Sequence, residues 1–278
     1  MTAYDWKDRV VLVTGGTRGI GLETALGFAR AGAKTVLTYR WGGSEEAAAA
    51  RFTAEGLPAP RILCADVGRD EDTVRLMETL HGEFERIDGF ISNVSVASLV
   101  RGMVDYKLKG LLRSIELTSW PMVSYCQRIH DRFGAWPRYV VALSSLGTRQ
   151  LAMNYDFVAA SKAVLETLIP YLGWRLRPEG VRVNGVTCGL VQTESALAMA
   201  GSEFEAFQAW HNAAIGPIPF VPAADVAAAI FGLCSGWMDA INGQILTVDD
   251  GTWTLAEGRY GLFRASLANK APDPKEEP

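Results

Sequence analysis

The sequence has few cysteines and histidines, and none of them is arranged as a ligand set. Only 4 cysteines and 3 histidines occur among 278 residues, all widely spaced. Without a Cys-x-x-Cys pair or clustered histidines, the pattern predicts reduced core cysteines, a cytoplasmic protein and no metal site. The residues concerned are Cys64, Cys126, Cys188, Cys234, His81, His130 and His211.

Long apolar runs and an excess of basic charge are also missing. No stretch approaches the about 20 apolar residues of a membrane helix, and the first residues lack the basic and apolar regions of a signal peptide. A net charge of -4 gives no electrostatic reason to expect nucleic acid or an anionic membrane as partner. The composition, 49% hydrophobic, instead suits one α/β domain with a large core. We assign it residues 1–267, followed by a solvated tail over 268–278.

A glycine-rich stretch separates a strand pattern from a helix pattern near the start of the chain. The apolar run 10–13 is typical of a strand buried on both faces. After Thr14 come Gly15, Gly19 and Gly21, and the last two open a helical pattern. Glycine lets a pyrophosphate approach the backbone closely, and the helix N-terminus supplies free N–H groups. The spacing predicts a dinucleotide-binding loop; a simple tight turn is the alternative.

Basic residues stand where the ribose of such a cofactor would lie. The second strand ends in Tyr39 and Arg40, at the place where an acidic residue would bind the ribose 2′-hydroxyl of NAD. Arg18 lies inside the glycine loop. Two guanidinium groups suit a 2′-phosphate, so the pattern favours NADPH over NADH. The alternative is that both arginines are solvated surface side chains.

Strand and helix patterns alternate for seven rounds along the chain. This alternation predicts a doubly wound Rossmann fold, a seven-stranded parallel sheet with helices on both faces. Ligands of such sheets bind beyond the carboxyl ends of the strands. Residues dispersed in sequence are therefore expected to converge there. They are Thr14, Asp66, Asn93, Ser145 and Cys188.

The order of these motifs resembles that of the short-chain dehydrogenase/reductase family over about residues 7–252. The likeness rests on Thr14-Gly15…Gly19-x-Gly21, Asp66, Ser144-Ser145, Tyr155…Lys162 and Asp249-x-Gly251. It implies that Asp66 lies against the adenine, that Lys162 bonds the nicotinamide ribose, and that Val191 and Thr193 meet the nicotinamide end. The cofactor-binding residues that it implies are Gly15, Thr17, Arg18, Gly19, Ile20, Gly21, Arg40, Asp66, Val67, Asn93, Lys162, Val191 and Thr193.

The spacing of tyrosine and lysine is similar to that of one branch, the NADPH-dependent enoyl-acyl-carrier-protein reductases. The family usually has its tyrosine four residues before the lysine, where this chain has Val158; here Tyr155 precedes Lys162 by seven. The likeness implies reduction of a free or carrier-bound enoyl thioester, with Tyr155, Lys162 and Ser145 as catalytic residues. Within one helix the pair would stand about 10.5 Å apart along the axis, so Tyr155 is expected in the loop ahead of the helix.

Two positions depart from the usual family pattern. Residues 92–95 read Ser-Asn-Val-Ser in place of Asn-Asn-Ala-Gly, and Thr118 takes the place of a helix asparagine. Both departures fit the enoyl reductase branch. Because Ser145 takes the place of the usual catalytic serine, reduction of a β-ketoacyl or polyketide-type ketone is the alternative function. A non-catalytic NADPH sensor is a third, although Tyr155 and Lys162 are both present.

Two further segments carry expectations about the substrate and about assembly. Residues 194–219 follow the sixth strand and are predicted to form a lid over the substrate, with an ordinary pair of surface helices as the alternative. The helical regions Leu108–Phe133 and Phe157–Arg177 carry more apolar positions than one buried stripe needs. Their family counterparts pair in dimers and tetramers, which implies a homotetramer. Packing of the extra apolar residues within one chain is the alternative.

Overall fold

The computed structural model describes residues 4–96, 100–150, 154–193 and 220–251, with residues 205, 208–209 and 212–213. Its strands form one seven-stranded sheet in the order β3-β2-β1-β4-β5-β6-β7, and every neighbouring pair is parallel. The strands are β1 (Val10–Val13), β2 (Lys34–Tyr39), β3 (Arg61–Cys64), β4 (Gly89–Ser92), β5 (Tyr139–Leu143), β6 (Arg182–Cys188) and β7 (Ile245–Val248). The predicted Rossmann fold is confirmed.

Helices cover both faces of this sheet. Those whose bounds the structure gives are α1 (Gly19–Arg30), α2 (Glu45–Ala54), α3 (Asp70–Glu83), α4 (Leu108–Thr118), α5 (Trp120–Phe133), α6 (Asp156–Leu176) and α7 (Ala223–Leu233). The alternation of side chains along β1 divides the core in two. Val11 and Val13 pack under α1, α2 and α7, whereas Val10 and Leu12 pack under α3, α5 and α6. Strand order reverses between β1 and β4, and in such sheets this is the place for a ligand.

The region predicted as one helix from Leu108 to Phe133 is two helices, so that prediction was wrong. The first helix, α4, ends at Thr118, and α5 begins at Trp120 with Pro121 in its first turn. Proline has no N–H to donate and fits the first turn of a helix, where that donor is unpaired anyway. The break leaves Thr118 buried at the C-terminal end of α4.

The predicted lid, residues 194–219, lies outside the described residues except for the isolated positions given above, and the predicted tail over 268–278 lies outside them entirely. The two ends of the lid segment are described. The N–H of Val221 donates to the carbonyl of Leu190 at 2.9 Å, so the segment starts and finishes beside the carboxyl end of β6. No helix in the described part of the chain is long and apolar enough to cross a membrane.

Candidate active site

The glycine loop has a backbone that only glycine adopts without strain. Gly15 and Gly19 have φ angles of 61° and 54°, in the left-handed region. Gly21 is required for a different reason, because a Cβ there would collide with the Gly15 carbonyl oxygen and lie 2.7 Å from Nδ2 of Asn93. The close approach sets the N-terminus of α1 against the loop, and the first N–H groups of a helix have no partner within it. The loop is therefore shaped to hold a phosphate group.

Asn93, predicted to bind the cofactor, holds the glycine loop through hydrogen bonds from its side chain. Its side-chain Nδ2 donates to the carbonyl oxygens of Thr14 at 3.0 Å and Gly15 at 3.1 Å. Its backbone N–H donates to the Thr14 hydroxyl at 3.1 Å, which in turn donates to the Ile91 carbonyl. The Asn93 amide thus holds the ends of β1 and β4 together, and direct contact with a cofactor stays a prediction.

Arg40 and Asp66, predicted for the ribose and the adenine, form one ion pair. Arg40 Nε lies 2.9 Å from Asp66 Oδ2, and the guanidinium sits over the ring of Trp41, 4.6 Å from its centroid. Asp66 also accepts from the N–H of Gly68 at 2.9 Å. The half-buried Val67 follows it in the turn after β3. Trp41 and Asp66 thereby orient Arg40 at the carboxyl edge of the sheet.

The remaining predicted cofactor residues meet at the same edge. The buried Thr17 has its hydroxyl 2.7 Å from that of Ser44, just ahead of α2, and Arg18 is exposed at the start of α1. Thr193 reaches the glycine loop, since a Cβ on Gly19 would stand 3.4 Å from its Cγ2. Ile20 and Val191 pack into the core cluster beneath the loop. A glycine cradle, a helix N-terminus without a side-chain cap and an arginine just beyond β2 fit a phosphorylated dinucleotide.

Tyr155 and Ser145 are brought together beyond β5. Tyr155 lies directly ahead of α6, where the spacing predicts it. Its ring lies on Gly147, where a Cβ would be only 2.5 Å from Cε1 of the tyrosine. Burial raises the pKa of Tyr155 above its ordinary value, and a hydrogen bond with Ser145 opposes part of that rise. At neutral pH the phenol therefore keeps its proton and acts as a donor.

Lys162 is buried on α6, beside Cys188, which the sequence predicts at the same edge of the sheet but gives no role. Its Nζ donates to the carbonyl of Leu143 at the end of β5. Burial lowers the pKa of Lys162 to about 8, against the opposing charge of Glu166. The Cys188 thiol lies close to both Lys162 and Tyr155, and burial raises its own pKa to about 11, so it is neutral at pH 7. The prediction that every cysteine lies in the core was wrong for the half-buried Cys188 and the exposed Cys64.

Two residues without a predicted site role also shape this region. Thr118, at the position of the family's helix asparagine, accepts from the N–H of Val96 at 3.3 Å and holds the chain that follows β4. Glu166 accepts from the hydroxyls of Ser144 and Thr148. A signal for Glu166 was present in the sequence, because a carboxylate four residues after Lys162 lies on the same helix face.

Known proteins are similar to this chain over most of its length. Residues 15–252 match the family described as "Enoyl-(Acyl carrier protein) reductase". An NADH-dependent enoyl-(acyl-carrier-protein) reductase of Aquifex aeolicus is 25% identical over 246 residues, covering 86% of this chain and 89% of that protein. A 1-cyclohexenylcarbonyl-CoA reductase of Streptomyces collinus is 29% identical over 263 residues, covering 90% and 89%.

A solved structure shows the same fold. The 3-oxoacyl-(acyl-carrier-protein) reductase of Agrobacterium tumefaciens C58, with NADP bound, superimposes with a TM-score of 0.75 at 22% identity. The superposition covers 88% of this chain and 94% of that one. At this identity the likeness extends to the fold alone.

Proposed function

The chain belongs to the short-chain dehydrogenase/reductase family, as its sequence motifs indicate, and from that premise we propose that it reduces α,β-unsaturated thioesters with NADPH. The observation that carries the proposal is the position of Tyr155. It stands directly ahead of α6, seven residues before Lys162, with its ring on Gly147 and its phenol bonded to Ser145. The Aquifex and Streptomyces relatives support the same substrate class, since the names of both describe enoyl thioester reductases.

The residues of this chain stabilise the charge that such a reduction creates. When bound, NADPH supplies a hydride to an electron-poor carbon. Negative charge then develops on the thioester oxygen, and the Tyr155 phenol donates a hydrogen bond to it. Ser145 is placed as a second donor beside that phenol, and the Lys162 ammonium adds a positive charge below its pKa of about 8. A proton taken up at the α-carbon completes the reaction.

The serine also supports a second candidate, reduction of a β-ketoacyl or polyketide-type ketone. Its hydroxyl lies beside the Tyr155 phenol, and we infer that the two hydroxyls together bind a ketone oxygen. The test offers purified protein a crotonyl thioester and a β-ketoacyl thioester in parallel, each with NADPH. We expect oxidation of NADPH with the crotonyl substrate. Reduction of the ketone with the enoyl thioester left untouched overturns the proposal in favour of this alternative.

Replacing Arg40 with Asp is expected to weaken NADPH binding far more than NADH binding. Losing a charge-assisted hydrogen bond to the 2′-phosphate costs roughly 1.5–3 kcal/mol, or about one to two decades of affinity. The new carboxylate would also stand beside Asp66, the present partner of Arg40. Fluorescence titration with each cofactor measures the two affinities.

The matched control is Arg128→Asp, since Arg128 makes an exposed ion pair with Asp70 on α3. That variant should bind both cofactors as the wild type does. Equal loss of NADPH and NADH affinity in Arg40→Asp contradicts the assignment of Arg40 to the 2′-phosphate.

We further propose that the protein is a homotetramer assembled through α4 and α6. These helices pack on each other, with Gly110 against Phe157, and both expose large apolar side chains. Leu112 on α4 is 54% exposed and Trp174 on α6 is 71% exposed. Light scattering at micromolar concentration should give the mass of four chains, and Leu112→Glu and Trp174→Glu should lower it. A wild-type mass of one chain contradicts this prediction.

A further inference from the structure

The carboxylate of Glu166 joins the lysine helix to the segment that carries Ser145. On α6 it accepts a hydrogen bond from the Ser144 hydroxyl at 2.6 Å. It also shares the proton of the Thr148 hydroxyl, 3.0 Å away, with the Ser145 carbonyl, which lies at the same distance. Ser144 is buried, so its bond to the carboxylate is shielded from water. Hydrogen bonds to an ionised acceptor are roughly twice as strong as neutral ones. Glu166 therefore fixes the segment 144–148 at both of its ends.

That short segment sets the positions of two proposed catalytic groups. The N–H of Gly147 donates to the Ser145 hydroxyl at 3.2 Å, and the N–H of Thr148 donates to the Ser145 carbonyl at 3.2 Å. The Tyr155 ring in turn packs against Gly147. A shift of the segment would move the serine hydroxyl and the tyrosine ring together.

Glu166 also acts on Lys162 through its charge. It stands one helical turn further along α6, and its charge opposes the fall in the pKa of Lys162 that burial causes. The other elements packed around Lys162 contribute the Leu143 carbonyl from β5 and the Cys188 thiol from β6. On α4, which packs against α6, the charged side chains Arg113 and Glu116 pair with each other at 2.9 Å.

We propose that Glu166 is a positioning residue of this site: it places Ser145 and the Tyr155 ring through Ser144 and Thr148, and its carboxylate lies one turn of α6 from Lys162, the residue proposed to bind the cofactor. Glu166 itself touches neither substrate nor cofactor in this role. The placement of Ser145 and Tyr155 rests on the proposed reductase function. The effect of the Glu166 charge on Lys162 concerns cofactor binding and is measured without turnover.

The first test compares Glu166→Ala with Glu166→Gln. Alanine removes both hydrogen bonds and the charge, while glutamine keeps an oxygen acceptor for the two hydroxyls. We expect Glu166→Ala to lower kcat by about 10-fold or more with little change in KM, because misplacement of catalytic groups slows the chemical step. At neutral pH the kcat of Glu166→Gln should fall less than that of Glu166→Ala. The matched control pair is Glu83→Ala and Glu83→Gln, since Glu83 pairs with Arg61 at the far end of α3.

The second test measures NADPH affinity by fluorescence titration between pH 6 and pH 10. The ammonium of Lys162 favours cofactor binding, so wild-type affinity should fall as pH rises through about 8, the pKa of this lysine. Removing the negative charge of Glu166 lowers that pKa further. The midpoint for Glu166→Gln should therefore shift by about one unit to lower pH, while Glu83→Gln keeps the wild-type midpoint.

Two results overturn the proposal. One is a wild-type kcat in Glu166→Ala, and the other is an unchanged pH midpoint in Glu166→Gln, which retains the hydrogen bonds needed for folding. Should the wild-type protein reduce only ketones, the enoyl assignment fails. The same variants are then compared on the ketone substrate, and the binding experiment stands unchanged.

Discussion

Tyr155→Phe is expected to lower the turnover of an enoyl thioester by about 100-fold or more while leaving NADPH binding intact. The ring keeps its place on Gly147, so the variant loses only the hydroxyl and its bond with Ser145. The measurement is kcat from the loss of NADPH absorbance. Tyr171→Phe is the control, because Tyr171 is exposed on α6, more than four helical turns beyond Tyr155.

Lys162→Ala is expected to lower turnover by a similar factor and to weaken NADPH binding as well. This difference separates the two roles, since the lysine is proposed to bind the nicotinamide ribose and the tyrosine is not. Thermal unfolding is measured in parallel, because the variant also leaves the Leu143 carbonyl without its donor. Wild-type turnover in Tyr155→Phe, or unchanged NADPH affinity in Lys162→Ala, contradicts these assignments.

Gly21→Ala is expected to lower both the stability of the protein and its affinity for NADPH. The added Cβ meets the Gly15 carbonyl and the Asn93 amide, both of which are held in the backbone framework of the loop. Overpacking of this kind costs about 1–3 kcal/mol. Because the strain falls on the loop proposed to hold the pyrophosphate, we expect NADPH affinity to fall by about 10-fold or more.

Gly27→Ala, also on α1, provides a control that is expected to raise the stability of the protein. A Cβ there meets no atom within 4 Å. Alanine in a helix interior is more stable than glycine by roughly 0.5–1 kcal/mol, so the melting temperature should rise while cofactor affinity stays the same. If Gly21→Ala binds NADPH as the wild type does, the glycines form only a tight turn, the alternative that the sequence left open.

The fold was predictable from the sequence because its signals are local. Apolar runs such as 10–13 indicate strands buried on both faces, and the sheet places them at its centre. Because all seven strands run parallel, the residues that follow their carboxyl ends lie at one edge of the sheet. This is why Asp66, Asn93 and Ser145 meet at the predicted edge although they are far apart in the chain.

The division of the region 108–133 was less predictable. Its apolar positions continue through both α4 and α5, so the pattern reads as one helix. Pro121 was the signal of a break, but proline occurs both in first turns and at kinks within a helix. Only the packing of Thr118 and Ser119 into the core shows which of the two applies here.

By itself the sequence determined the seven-stranded parallel sheet with helices on both faces, the glycine loop and the placement of Tyr155 ahead of α6, whereas the order of the strands came from the structure. The tertiary structure alone decided which of these residues face each other. Arg40 pairs with Asp66, the Cys188 thiol lies close to Tyr155 and Lys162, and Glu166 binds the segment of Ser145. The physical reason is the sequence separation of the residues involved. Helix, strand and turn patterns depend on neighbours a few residues apart. These contacts instead join side chains on different strands and helices, whose distance from one another is set by the packing of the sheet.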